Sequence, residues 1–304
     1  MSFNQDQGCF IAATSSGIRV YNTHEFQSTF KRPFEGGIRI AEMLYRTNII
    51  ALVGTGENTS YPKDRLILWD DIAHRPFSEL NFKYPVLNVK LRKDRVVAVL
   101  EKKVYVYNFE NLECSDSFLT CENPLGLVSL SSQENSCVLA IPDEKVGSVK
   151  IVHFSKDKGH KEIVQVVCHT SGIAAMKLSQ DGSLLATASP KGTLIRVWDT
   201  TTGNQVADVR RGMDVALISD IVFDPTNSVV ACSSDKGTVH VFNIKKGGEA
   251  PENKKSTFSA LGGYFGSEWS FGQLRVKDIN SKLAMFDGKL FSVSRGGTYC
   301  YGPI

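Results

Sequence analysis

The sequence has little that could cross a bilayer, hold a metal or run a reaction. Its longest apolar runs, such as Val96 to Leu100, are strand-sized, whereas a membrane-spanning helix needs about 20 consecutive apolar residues. Any membrane contact is therefore expected to be peripheral. The seven cysteines (Cys9, Cys114, Cys121, Cys137, Cys168, Cys232 and Cys300) are scattered, with no pair at the two-residue separation by which neighbouring thiolates share a zinc ion. They read as reduced thiols, mostly in the core of an intracellular protein. The opening residues Met1-Ser2-Phe3-Asn4-Gln5-Asp6 do not have the basic and then apolar order of a signal peptide, so the chain is expected in the cytosol. An excess of one charge is missing too. With 35 basic and 32 acidic residues, a net +3, the surface as a whole does not track nucleic acid, and an anionic partner must be met locally. Helical periodicity is almost absent, which argues against α/β enzymes built on crossover helices. There is no GxSxG elbow, HExxH pair or P-loop, and Gly54-x-Gly56 reads as a hairpin loop. Neither a cofactor nor an enzymatic activity is expected.

What the chain does have is a repeat. With 304 residues and 42% hydrophobic content it can bury a core without disulfides or metal. One phrase recurs seven times: a short apolar strand, a turn rich in Gly, Lys or Asp, then an alternating strand ending in an aromatic or His. The copies start at Phe10, Ile49, Val96, Val138, Leu184, Val229 and Leu290. Their equivalent late positions, Tyr21, Trp69, Tyr107, His153, Trp198, Phe242 and Tyr301, are 48, 38, 46, 45, 44 and 59 residues apart. Most of these spacings lie near the roughly 40 to 45 residues of a four-stranded propeller blade. The reading is a single all-β domain over 1–304, a seven-bladed β-propeller in which each phrase forms the second half of a hairpin pair. A seven-strand sandwich with a second domain is the alternative that the regular spacing disfavours. Because an open ring leaves unpaired edges, Met1 to Phe10 is expected to complete the blade built after Asp278.

The last spacing, 59 against the 44 before it, marks an insertion. It maps to residues 245–267 in the sixth blade, where Gly, Pro and paired lysines replace strand alternation. Phe258, Leu261, Tyr264 and Phe265 follow Lys254 and Lys255 there. That composition fits a segment that meets anionic headgroups and dips apolar groups into the interface. It fits equally a solvent loop whose aromatics pack back on the propeller.

The most informative stretch is Ala207-Asp208-Val209-Arg210-Arg211-Gly212-Met213-Asp214, between the fifth and sixth phrases. Consecutive strand residues project to opposite sides, so Arg210 and Arg211 should serve two pockets. Guanidinium forks suit phosphate, because two parallel N–H bonds can grip two of its oxygens. Gly212 is expected to let the backbone bend after the pair. Matching positions in the flanking repeats supply further donors. On one side are His169, Thr170, Ser189, Lys191, Thr193 and Arg196; on the other are Ser234, Lys236, Thr238 and His240. Residue by residue, a solvated basic pair and ordinary turn chemistry would account for them. Two parallel sets around one arginine pair favour two anion pockets.

At these residues the sequence resembles the PROPPIN family, also called WIPI proteins, and most of all its shorter members. The resemblance spans nearly the whole chain: FNQD near the start, GGIRIAEMLYRTNIIALVGTG, LILWDD, LRKDRVVAVLEKKVYVYNF, LLATASPKGTLIRVWDT, the RRG motif, SSDKGTVHVF and SEWSF. It implies a propeller of autophagy that binds phosphatidylinositol 3-phosphate and the 3,5-bisphosphate at two rim sites. In the first site it implies His169, Ser189, Thr193, Arg196 and Arg210. In the second it implies Arg211, Ser234, Lys236, Thr238 and His240. It further implies that the loop after Phe242 anchors in the membrane. The partners implied are phosphoinositide membranes and the autophagy lipid-transfer protein, the latter at the second and third blades near Asp70, Asp71 and Arg92 to Arg95. The protein is expected to be a monomer, recruited from the cytoplasm to preautophagosomal or endosomal membranes. Three positions depart from the family pattern: Val209 and Pro190 beside the first site, and Val215 where many members carry a basic residue that helps the second. The reading from a different class is a lipid-independent protein-binding scaffold, since propellers often serve that way.

Overall fold

Short alternating strands between turn residues fold as antiparallel hairpins, and the computed structural model of the chain is built from them. The structure describes residues 1–155, 160–245, 250–255 and 268–304. Among these residues there are strands and no helices. The strands form seven sheets, antiparallel but for one short added strand, which are the blades of a β-propeller. Two compact units hold them: Met1–Val128 carries the first three blades, and Ser129–Ile304 carries the fourth to seventh.

Each repeat phrase is the middle of a blade rather than its second half. In the fifth blade, for example, Leu184–Ala188 and Leu194–Asp199 are the central pair, with Ala175–Leu178 inside and Gln205–Arg210 outside. The burial gradient explains why these phrases read most clearly. The second strand of a blade is covered on both faces, as in Val229–Ser234, which is buried along its whole length. Outer strands such as Ser28–Pro33 and Arg75–Asn81 are mostly exposed and read as polar. A strand buried on both faces is a near-continuous apolar run, whereas a half-exposed one is not.

In the first unit, Ala51, Leu66, Leu68, Val89, Leu91 and Val96 pack the second blade against the third. In the second unit, Ala186, Ile195, Val197, Ile221, Phe223 and Phe242 join the fifth to the sixth. Each fully buried aliphatic or aromatic side chain contributes about 1.5–3 kcal/mol, and this packing fixes the rim on which the candidate site sits.

The expected place of the opening residues is corrected. Ser2–Phe3 pairs with Phe10 and Ile11 in the first blade, and the last blade has three strands, Ser281–Phe286, Lys289–Ser294 and Tyr299–Pro303. The physical reason lies in side chains. Ser2 Oγ donates to the Ala41 carbonyl at 2.8 Å, and Gln5 Nε2 donates to the carbonyls of Met43 and Leu91, both at 2.8 Å. These bonds tie the opening segment to the inner strands of the second and third blades.

Of the cysteines, expected mostly in the core, only Cys168 and Cys232 are buried, and Cys114 is exposed on an outer strand. The insertion falls between the third and outer strands of the sixth blade, Thr238–Asn243 and Gly272–Arg275. On its way back, Glu268–Trp269 leaves the sixth blade and adds a parallel fifth strand to the fifth, opposite Val209 and Arg210.

Candidate anion-binding site on the fifth and sixth blades

Arg210 ends the outer strand of the fifth blade and Arg211 follows it; the register sets Leu194 opposite Arg210 and Arg196 opposite Asp208. Arg210 is 3% exposed and Arg211 6%. Two consecutive arginines buried to that extent are no solvated surface pair, because a buried guanidinium needs compensating partners.

The two arginines act on different neighbours. On one side Arg196 Nη1 donates to the Cys168 carbonyl at 2.6 Å, and its Nε faces Asp208 Oδ2 at 3.4 Å. Burial raises the Asp208 carboxyl above its ordinary value, while Arg196 and then Arg210 pull it down. Its Oδ1 is buried with no hydrogen-bond partner among the described residues. On the other side lies His240, which is buried and whose Nδ1 is 3.1 Å from Ser270 Oγ. Burial chiefly, and the positive charge of Arg211 next, depress its imidazole from 6.5 to about 4.

Arg211 also braces the loop after it. Its Nε donates to the Gly192 carbonyl at 3.0 Å, and its Nη2 donates to the Asp214 carbonyl. The backbone bends just after Gly212, at Met213 and Asp214, but without a special conformation at the glycine itself. Gly212 does not take up the left-handed conformation, and a Cβ built on it meets nothing within 4 Å. The fold itself does not require glycine there, and the space beside the arginine pair is open.

Of the first set, Arg196 lies near His169 and, together with Arg210, near Asp208. His169 is buried, its Nε2 lies 3.1 Å from Thr187 Oγ1, and the same oxygen accepts from Trp198 Nε1 at 2.9 Å. Burial first, then Arg196, hold the His169 imidazole at about 4. It is therefore the neutral member of an internal His–Thr–Trp chain that positions the strands behind the pocket. Thr193 is buried, and its carbonyl accepts from the Arg211 N–H at 2.9 Å; Ser189 is half-buried at the start of the turn. Lys191 is exposed at that turn's tip.

In the second set, Ser234 is buried, Thr238 is half-buried opposite Arg275 on the outer strand, and Lys236 is exposed at the turn tip. Asp208, Thr187, Trp198 and Ser270 were not among the candidates. Of these, Asp208 carried a signal: it stands two residues before Arg210, which puts both on one face of the strand.

Lys254 and Lys255 are exposed at the base of the insertion, and the Lys254 backbone pairs with Trp269 in both directions at 3.1 and 2.8 Å. Phe258, Leu261, Tyr264 and Phe265 lie outside the described residues. Asp71 is held by Arg32 at 2.6 Å and Asp70 caps the turn at Ile72 and Ala73, while Arg92 is paired with Asp94. These groups at the second and third blades are thus engaged in internal contacts. Among the described residues no cluster of His, Cys, Asp and Glu could hold a metal ion.

Comparison with known proteins agrees with this architecture. The sequence profile of the PROPPIN family matches residues 1–295. The chain is 37% identical over 281 residues to SVP1-like protein 2 of Pichia angusta, covering 89% of this chain and 78% of that protein. It is 40% identical over 248 residues to autophagy-related protein 18e of Arabidopsis thaliana, covering 81% of this chain and 65% of the relative. Among solved structures, Kluyveromyces lactis Hsv2 with a complete loop 6CD superposes with a TM-score of 0.79 at 27% identity, over 96% of this chain and 88% of that one.

Proposed function

We infer the function from a premise that the match establishes: the chain belongs to the PROPPIN family, whose members among its relatives are autophagy-related proteins. We take it to be a non-catalytic membrane-surface adaptor. It would bind phosphatidylinositol 3-phosphate and the 3,5-bisphosphate at two pockets on either side of Arg210 and Arg211, and recruit autophagy machinery such as the lipid-transfer protein to forming autophagosomal membranes.

The observation that carries this reading is the pair of consecutive arginines, each more than nine-tenths buried, with Arg210 near Asp208 and Arg211 near His240. The Arg210 side holds Arg196, Ser189 and Thr193 in front of the His169 chain. The Arg211 side holds Ser234, Lys236, Thr238 and His240. Phosphate recognition needs positive charge and convergent donors at a site partly withdrawn from water, where charge-assisted bonds are strongest. Two weak headgroup sites on one rigid body gain strength by avidity on a membrane. The open space at Gly212 gives a headgroup room to approach the backbone between them.

The test is flotation of the purified protein with neutral vesicles, phosphatidylserine vesicles, and vesicles carrying either phosphoinositide. Flotation specific to phosphoinositide, abolished by Arg210→Thr with Arg211→Thr, is the expected result. Equal binding to every anionic vesicle, or to none, would favour the protein scaffold instead.

A further inference from the structure

The loop from Arg211 to Leu217, joining the fifth and sixth blades, exposes three aliphatic side chains in five residues. Met213 and Val215 are each 61% exposed and Leu217 is 57%, while Ala216 between them is buried. Exposed aliphatics on a slack loop would fold back against the nearest apolar surface. These are held outward, because the loop is fixed to both neighbouring turns. The Arg211 N–H donates to the Thr193 carbonyl, and the Arg211 side chain spans the carbonyls of Gly192 and Asp214. The Ala216 N–H donates to Lys191 O at 3.2 Å. Leu217 and Asp235 bond reciprocally: Leu217 N to Asp235 Oδ1 at 3.1 Å, and Asp235 N to Leu217 O at 3.0 Å.

Gly192 shows how closely the loop is seated. Its φ is +59°, and a Cβ there would stand 1.8 Å from the Ala216 carbonyl oxygen. The turn therefore accepts a loop backbone where any other residue would place a side chain. Lys191 and Lys236, both exposed, flank the loop on those same two turns. With Arg210 and Arg211 they set four cations around it against the carboxylates of Asp214 and Asp235. Preorganised aliphatic tips framed by lysines are the chemistry of an interfacial contact, in which basic groups meet anionic headgroups while short apolar side chains enter the acyl boundary. The tips are also contiguous with the arginine pair, so whatever surface presents a phosphate to the pockets meets them as well.

We propose that residues 211–217 form a braced membrane-contact element, distinct from the 245–267 insertion, which presses Met213, Val215 and Leu217 into an anionic lipid surface. The proposal rests on the headgroup reading of the adjoining pockets, and its test separates the two. The triple variant Met213→Ser, Val215→Ser, Leu217→Ser removes only exposed groups, so the core is untouched. Two quantities are read: soluble inositol 1,3-bisphosphate affinity by calorimetry, and partition onto phosphatidylcholine–phosphatidylserine vesicles carrying phosphatidylinositol 3-phosphate.

The expected result is an unchanged headgroup affinity with vesicle partition lowered by about tenfold or more, the scale of withdrawing three partly inserted aliphatic side chains. In parallel, a Val215→Trp variant should show emission quenched by brominated acyl chains beyond that of the unsubstituted protein. Vesicle partition equal to that of the unsubstituted protein, or a tryptophan at 215 that brominated chains do not quench on bound vesicles, overturns the proposal while leaving the headgroup reading intact; that outcome would point to a protein surface. Failure of the unsubstituted protein to bind headgroup and vesicle alike overturns both.

Discussion

Acid should loosen this protein through two buried histidines. His169 and His240 both ionise near 4 in the folded chain, against 6.5 when unfolded, because burial and then a neighbouring arginine disfavour the imidazolium. Below about 6.5 the unfolded chain takes up protons that the folded one refuses, so unfolding gains free energy as pH falls. The stabilisation is fully present above that value, declines through the window from 6.5 to 4, and changes no further below it. Between neutrality and about pH 5, each site should lose about 2 kcal/mol, or about 4 for the pair. The assay is denaturant unfolding followed by tryptophan fluorescence at a series of pH values, for the parent and for His169→Gln with His240→Gln. Carboxylates contribute equally to both proteins, so the difference in slope isolates the histidines. Parallel slopes would refute the reasoning. So would proton-detected titration of either ring at its ordinary value, a readout that does not depend on the variant's stability.

Three further outcomes follow from the site. Gly212→Ala should fold and melt as the parent does, since its Cβ meets nothing within 4 Å, yet weaken soluble-headgroup binding measured by calorimetry; unchanged affinity would mean that no ligand approaches that backbone. Gly192→Ala should lower thermal stability, by an amount of order 1–3 kcal/mol, because it combines a strained backbone with a clash against the Ala216 carbonyl; an unchanged melting temperature in calorimetry would contradict the tight seating of the loop. Arg211→Thr should destabilise relative to the parent, since it strips the Gly192 carbonyl of its donor at about 1–3 kcal/mol; a melting temperature equal to the parent's would remove the bracing role.

The blades were legible because their central strands are covered on both faces, which forces near-continuous apolar runs such as Val229 to Cys232 and Ile49 to Val53. That Arg210 and Arg211 meet different neighbours was anticipated by strand alternation, although Arg211 lies just past the last strand residue. The closure was not. Ser2–Phe3 is a two-residue strand with no period to read, and its place is set by Ser2 and Gln5 reaching carbonyls some 40 to 86 residues away in the chain. The role of His169 was also hidden. Its partner Thr187 is an unremarkable hydroxyl within an apolar strand, and only the fold brings Trp198 to the same oxygen. Asp208 answers to the burial of the arginine two residues on, and that burial is a property of the fold that the local sequence does not display.

The insertion leaves and rejoins the blade on a single rung, where the Lys254 and Trp269 backbones exchange hydrogen bonds while Asn253 ties Asn243 to Glu268. The stretch 256–267 is therefore joined at both ends to backbone that is already held together. Loop length adds little to closure entropy once the ends are already together, so descendants of this sequence can lengthen, shorten or rewrite that excursion without retuning the propeller. An engineer could use the same freedom, treating positions 256–267 as a cassette for a fluorescent tag, a protease site or a foreign lipid-binding peptide.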